Sequence, residues 1–300
     1  MDIALNTDFL MSRFSPEKYL RLISEAGFTH LHWCHQWNTD YLYSTYEIAQ
    51  YKKWLKEYNL KLLDIHGSMG QEKMWFSFDE YRRKSGVLLV LNRIIMLDEL
   101  EGTGSIMMHI PAYRSSTKDP AERAEIAKMT DTLKRTIDEL IPYLEKYHTK
   151  IAVENTRNDS FEVIAELMDS YSPEHLGITL DTGHANIDEA RGLDCMENHL
   201  DRLEALHLND NDTSGDQHQP PFYGTLDWER IANMLAKSSY PATGRPLSFE
   251  LAMRCTPFMV SDVDPKDQPD ENIKAFLADT YERCVKVVGL YEKALNQSAR

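Results

Sequence analysis

Short apolar, β-branched runs alternate along this chain with longer stretches of helical period. The runs fall at residues 2–6, 30–34, 61–67, 105–110, 150–155, 176–181, 203–210 and 246–251, each short enough to be one buried strand. Between them the apolar residues recur every three or four positions. Ser15 and Pro16 open one such stretch in the manner of a cap followed by proline, and Gly27 closes it. Residues 120–147 read as a long amphipathic helix with Leu133, Ile137, Leu140, Ile141 and Leu144 on one stripe. Asp227 is placed to cap another. Eight strands, each followed by a helix, predict a closed (β/α)8 TIM barrel, with an open sheet as the alternative. No linker rich in Pro, Gly or Ser divides the chain, so residues 1–300 are expected to form a single barrel domain. Residues 262–270, rich in Asp and Pro, read as a surface loop before the last helix.

A strand buried on both faces should be apolar, so polar residues within it need a reason. Here they gather at the C-terminal ends, where barrel enzymes carry their chemistry. His66, His109, Glu154, Asp181, His207 and Glu250 end successive runs from the third to the eighth, and His184 follows Asp181 closely. One strand-end histidine is more often structural than a ligand, and Asp181-Thr182-Gly183 has the composition of a simple turn. The joint count favours a convergent site: eleven histidines spread evenly over 300 residues would put about one at such ends, and four occur. A carboxylate following four apolar residues, as Glu154 and Glu250 nearly do, costs several kcal/mol unless a cation or proton meets it.

Imidazole mixed with carboxylate suits Mn²⁺ or Zn²⁺, with Co²⁺ and Mg²⁺ as further options. Such an ion can stabilise an enediolate while two carboxylates exchange a proton with the substrate. Glu154 and Glu250, from the fifth and eighth runs, are the expected acid and base. His148, His175 and His199 fall in helices or at their ends and are expected to be solvated; His30, His32 and His35 flank the second strand, where His32 or His35 could reach the pocket, and none is assigned a role. Trp33, Trp37 and Trp75 fit core packing better than a sugar-binding mouth. Arg157 and Arg254 follow the two glutamates and are candidates for holding an anionic group.

Val153-Glu154-Asn155, Leu180-Asp181-Thr182-Gly183-His184, Leu206-His207-Leu208-Asn209-Asp210, the segment 215–228 and Phe249-Glu250 occur in an order that resembles the xylose-isomerase-like barrel superfamily, in particular the sugar phosphate isomerase/epimerase family. The resemblance runs over nearly the whole chain. It implies a metal held by Glu154, Asp181, His207 and Glu250, proton exchange by the two glutamates, and substrate contact by His184. Those epimerases typically carry a substrate-holding arginine beyond the histidine matching His207; here that region has Asp216 and His218 instead. That pair is similar to endonuclease IV, whose ligand set would map to His66, His109, Glu154, Asp181, His184, His207, Asp216, His218 and Glu250. His66, His109 and His184 are thus either substrate-binding residues or ligands of additional metals, and Asp216 and His218 are either further ligands or a polar turn with a solvated histidine.

Three activities follow as expectations: isomerisation or epimerisation of a sugar or sugar derivative, phosphoester hydrolysis of the endonuclease IV kind, or a related lyase reaction on a polyol or keto-glycoside. The net charge of −15, without a compensating Lys/Arg cluster, argues against a nucleic-acid partner. No apolar run reaches the length of a membrane span, and the N-terminus lacks the pattern of a signal peptide. Cys34, Cys195, Cys255 and Cys284 form no C-x-x-C, which fits a reducing, cytoplasmic setting without a cysteine zinc site. A small carbohydrate is the expected partner, and a homo-oligomer stays open. Specificity is expected in the loops at 33–44, 68–77 and 113–119.

Overall fold

The computed structural model describes residues 2–11, 13–113, 119–157, 159–187 and 191–298; most of the 113–119 loop lies outside the described residues. The strands are β1 (Ile3–Asn6), β2 (His30–Trp33), β3 (Lys61–His66), β4 (Ile106–Met108), β5 (Ile151–Glu154), β6 (Leu176–Asp181), β7 (Leu203–His207) and β8 (Leu247–Phe249). All pair in parallel, in the order β7-β6-β5-β4-β3-β2-β1-β8. A parallel bridge between Leu208 and Phe249 completes the ring, with the Leu208 amide donating to the Ser248 carbonyl at 3.0 Å and the Glu250 amide to Leu208 at 3.2 Å. The expected closed TIM barrel is therefore formed.

Helices α1 (Glu17–Glu25), α2 (Thr45–Glu57), α3 (Glu80–Glu99), α4 (Pro120–Lys146), α5 (Glu162–Ser170), α6 (Thr182–Asn186), α7 (Arg191–Met196), α8 (Trp228–Lys237) and α9 (Asp270–Ser298) lie between the strands and after the last. Local chemistry sets their starts. Ser44 and Glu47 make a reciprocal capping box on α2; Asp79, Asp119 and Asp227 accept from amides in the first turns of α3, α4 and α8. The start of α1 differs from expectation: Pro16, not Ser15, occupies the cap, and no side chain bonds there. Residues 262–270 are a surface loop, as expected, with one 3-10 turn at Pro265–Asp267 and only Gln268 buried, and α9 begins at its last residue. Among the described residues, no helix is long and apolar enough to cross a membrane. The four cysteines are free thiols.

Alternation along each strand decides what the barrel encloses. In β5 to β8, large residues such as Val153, Leu180, Leu206 and Phe249 face the helices, while Ala152, Thr179, Ala205 and Ser248 share a face with Glu154, Asp181, His207 and Glu250. A barrel interior is usually filled by branched apolar residues. Small side chains here leave room for a polar layer above them.

Candidate metal centre

Neighbouring strands bring the central side chains together: Asp181 pairs with His207 in register, and Glu154 pairs with Thr179, two residues before Asp181 on the same face. Single ligand atoms from Glu154, Asp181, His207 and Glu250 all lie within 4.8 Å of one another. The His207 Nδ1 stands 2.8 Å from Glu154 Oε1 and 3.0 Å from Glu250 Oε2. All four residues are buried. His109 and Glu250 follow the last residues of β4 and β8 rather than ending those strands, because both strands are only three residues long. Strand β7 ends at His207, short of the expected 210, since Asp210 leaves the ladder and pairs antiparallel with Gln219.

The turn after β6 is more than a simple turn. Asp181 Oδ1 accepts from the His184 amide at 2.7 Å, capping α6, and Asp181 Oδ2 accepts from Asn209 Nδ2 at 2.9 Å. Asn155 clasps the Asp181 backbone from the other side, accepting from its amide at 2.8 Å and donating to its carbonyl at 2.9 Å. Gly183 is required where these groups meet, because a Cβ there would stand 1.9 Å from Asn209 Oδ1. Beyond β7, the buried Asp210 carboxylate accepts from the amides of Asn211, Phe222 and Leu226 and from Trp228 Nε1. It thereby folds the 211–228 loop back over the barrel mouth. That loop carries Asp216 and His218 to the site: His218 Nε2 lies 3.0 Å from Asp216 Oδ1, and His184 Nε2 lies 3.4 Å from Asp216 Oδ2.

The remaining expected residues also converge. His66, His109 and Glu154 form one close group, with His109 Nε2 in contact with Glu154 Oε2; Asp181, His184 and His218 form another. Arg157 does not join them and is exposed. Arg254 is exposed too, but its guanidinium donates to the Asp216 carbonyl at 3.3 Å, and it lines a cavity of about 320 Å³ beside Glu250, His218, Asp8 and Trp37. Trp33 and Trp75 are fully buried packing residues, as expected. Trp37 is not: its ring lies over His66 at 4.4 Å and edge-on to His109 at 5.6 Å, at the mouth.

Two central residues had no assigned role in the sequence reading, His32 left open there and Asp8 unnamed. His32 is fully buried, its ring 4.3 Å from that of His207, and its Nδ1 is 2.7 Å from Asp64 Oδ1. The available signal was a polar residue in mid-strand, the same rule applied one layer deeper. Asp8 holds bonds from Asn6 Nδ2 (2.9 Å) and Trp37 Nε1 (3.1 Å); as an acid in a loop it carried no signal. His30 and His35 are buried away from the centre, bonding Thr29 and the Phe14 carbonyl. Of the peripheral histidines, His148 is exposed as expected, whereas His175 is half-buried beside Glu145 and His199 stacks on Phe161.

Electrostatics follow from crowding. Burial pushes the Glu154 carboxyl up, but His109 and His207 outweigh it and hold the group well below the usual range. The same balance, with His207 first, lowers Glu250. Burial pushes Asp181 up to about 6, with the charge of Glu154 adding and His184 opposing. Burial would lower His207, yet Glu250 and Glu154 raise it well above its ordinary value; Asp216 likewise overcomes burial to bring His218 to about 9. Burial, reinforced by Glu250, raises Asp8.

A cation fits these residues. The buried basic side chains among the described residues are Arg83 and Arg93, which bond elsewhere, so only imidazoles offset Glu154, Asp181 and Glu250. His207 Nδ1 faces two carboxylates at once, and carboxylates with imidazole are a suitable donor set for a divalent ion.

Comparison with known proteins places these features in context. The sequence profile described as the xylose isomerase-like TIM barrel matches residues 20–279. An uncharacterized protein of Sinorhizobium fredii is 30% identical over 257 residues, covering 78% of this chain and 80% of the relative. A D-psicose 3-epimerase of Enterocloster bolteae is 24% identical over 233 residues, covering 75% and 73%. Among solved structures, a D-tagatose 3-epimerase-like protein superposes with a TM-score of 0.68 at 18% identity, over 100% of both chains.

Proposed function

The chain belongs to the xylose isomerase-like TIM barrel family, and from that premise we propose that it is a divalent-cation-dependent isomerase or epimerase of a sugar or sugar derivative. One observation carries the reading: two glutamates from separate strands, Glu154 and Glu250, meet at the same imidazole nitrogen and lie within reach of one ion with Asp181. The relative named D-psicose 3-epimerase supports the substrate class.

Glu154, Asp181, His207 and Glu250 would hold the ion. When bound, it supplies positive charge that offsets the negative charge developing on the substrate's oxygens. The chain's own side chains move the proton. One glutamate takes it from the carbon beside the carbonyl, leaving an enediolate, and the other returns a proton to the opposite face, which inverts that carbon. Return by the same glutamate to the neighbouring carbon would interconvert ketose and aldose instead. His184, fixed by Asn155 and Asp216, is assigned to a substrate hydroxyl, with His66 and His109 on the other flank. Trp37, packed over His66 and His109, supplies an apolar wall at the mouth of the site.

The test is product analysis. Mn²⁺-loaded protein incubated with ketohexoses and ketopentoses, free and phosphorylated, should yield a second epimer or an aldose by NMR; every sugar recovered unchanged would contradict the proposal. A second reading, metal-assisted phosphoester hydrolysis, draws on the two further ligand groups, His66/His109/Glu154 and Asp181/His184/His218. The charge of −15 weighs against a DNA substrate. Incision of abasic-site DNA by the Zn²⁺-loaded protein would favour hydrolysis, and release of water or an aglycone, read by mass spectrometry, would favour a lyase.

A further inference from the structure

Below the four central ligands, β2 and β3 put a second polar pair inside the barrel. His32 and Asp64 are paired in register across a bulge in the β2–β3 ladder, and both are buried. The 2.7 Å contact engages His32 Nδ1 with Asp64 Oδ1 and leaves Nε2 as the free end of the ring. That Nε2 is buried and without a partner, and so is the Nε2 of the neighbouring His207. Each such atom costs on the order of 1–3 kcal/mol, and native interiors hold few of them. Ligand atoms of His32, His207 and Glu250 lie within 4.8 Å of one another.

We infer that His32, His207 and Glu250 form a second divalent-cation position, adjoining the Glu154–Asp181–His207–Glu250 position and sharing His207 and Glu250 with it, with Asp64 orienting His32. The inference rests on the cation reading of the proposed function. Two imidazoles and a carboxylate make a three-ligand set of the kind Zn²⁺ accepts while keeping a coordination position open. The Asp64–His32 contact is the carboxylate support that metal-bound histidines ordinarily have on their second nitrogen. Asp64 also adds a further acidic group to an interior already holding Glu154, Asp181 and Glu250, so a second positive charge is favourable there. Sharing His207 between two ions uses both ring nitrogens: Nδ1 faces Glu154 and Glu250, Nε2 is unpartnered, and binding the second ion displaces the ring proton.

Crystals of the wild-type protein loaded with Zn²⁺ alone, read by anomalous scattering, test this directly. A peak about 2.1 Å from His32 Nε2 is the expected result. His32→Gln and Asp64→Asn should each bind one Zn²⁺ equivalent fewer by metal analysis; should either variant fail to fold, the wild-type map still decides. Density held by Glu154, Asp181, His207 and Glu250, with none at His32, would overturn this inference and leave the proposed function standing. Density at neither position would overturn both.

Discussion

Replacing Asn209 with alanine isolates how Asp181 is held. Asn209 is fully buried, and its Nδ2 donates to Asp181 Oδ2 at 2.9 Å and to the His207 carbonyl at 3.2 Å. The other oxygen of Asp181 is committed to the amide of His184 at 2.7 Å, so the substitution strips the donor that aims the free oxygen. A hydrogen bond to a charged group contributes about 1.5–3 kcal/mol, and the small void adds to the loss. Asn209→Ala should therefore destabilise the ion-free protein by about 2–3 kcal/mol. Outer-shell partners of metal ligands typically change affinity 10- to 100-fold, so the Mn²⁺ Kd should rise by about that factor, or roughly 1.4–2.8 kcal/mol. Free Mn²⁺ followed by its EPR signal gives the Kd, and urea unfolding in the presence of a chelator gives the stability. A variant that loses stability but keeps its Mn²⁺ Kd within about twofold of wild type would refute the reasoning, because Asn209 would then be packing alone.

Other consequences concern protons. Ion binding needs His207 neutral and Asp181 ionised. With His207 raised well above its ordinary value, binding at pH 7 should release a proton; below about 6, where Asp181 is also protonated, affinity should fall more steeply. Calorimetry in buffers of different ionisation enthalpy checks this, and a Kd unchanged from pH 5.5 to 8 would contradict it. Away from the centre, burial pushes Asp159 up to about 6, with amide bonds from Phe161 and its neighbours only partly opposing. A carboxyl raised in the folded state leaves stability untouched below the unfolded pKa of about 4 and lowers it increasingly up to about 6. Asp159→Asn should accordingly stabilise the protein by about 1–3 kcal/mol at pH 7.5 and by almost nothing at pH 4, as measured by urea unfolding; equal effects at both would disprove the assignment.

What the sequence made legible follows from contrast. Glu154, Asp181, His207 and Glu250 end or follow apolar runs, so each stands out, and eight such runs with helical stretches between them leave few folds but a barrel. His32 and Asp64 were harder because alternation with apolar neighbours makes them look like one face of an ordinary strand. Only the bulge that shifts β2 against β3 brings the two together. The 211–228 loop was recognisable as a pattern, but its closure over the mouth depends on one carboxylate, Asp210, collecting amides up to sixteen residues away. Such convergence of backbone donors leaves no periodic trace. The separation of Trp37 at the mouth from Trp33 and Trp75 in the core likewise depends on the path of a loop, not on composition.

Hydrogen exchange at the substrate carbon is the most direct trial of the claim that Glu154 and Glu250 share the proton transfer. In D₂O, the Mn²⁺-loaded wild-type protein should wash deuterium into the carbon beside the carbonyl of at least one ketose. Glu154→Gln and Glu250→Gln should each lower net conversion by about 10²–10⁴-fold, the span expected when a general acid or base is removed. No deuterium at that carbon in any ketose, or full conversion by either variant, would contradict the account.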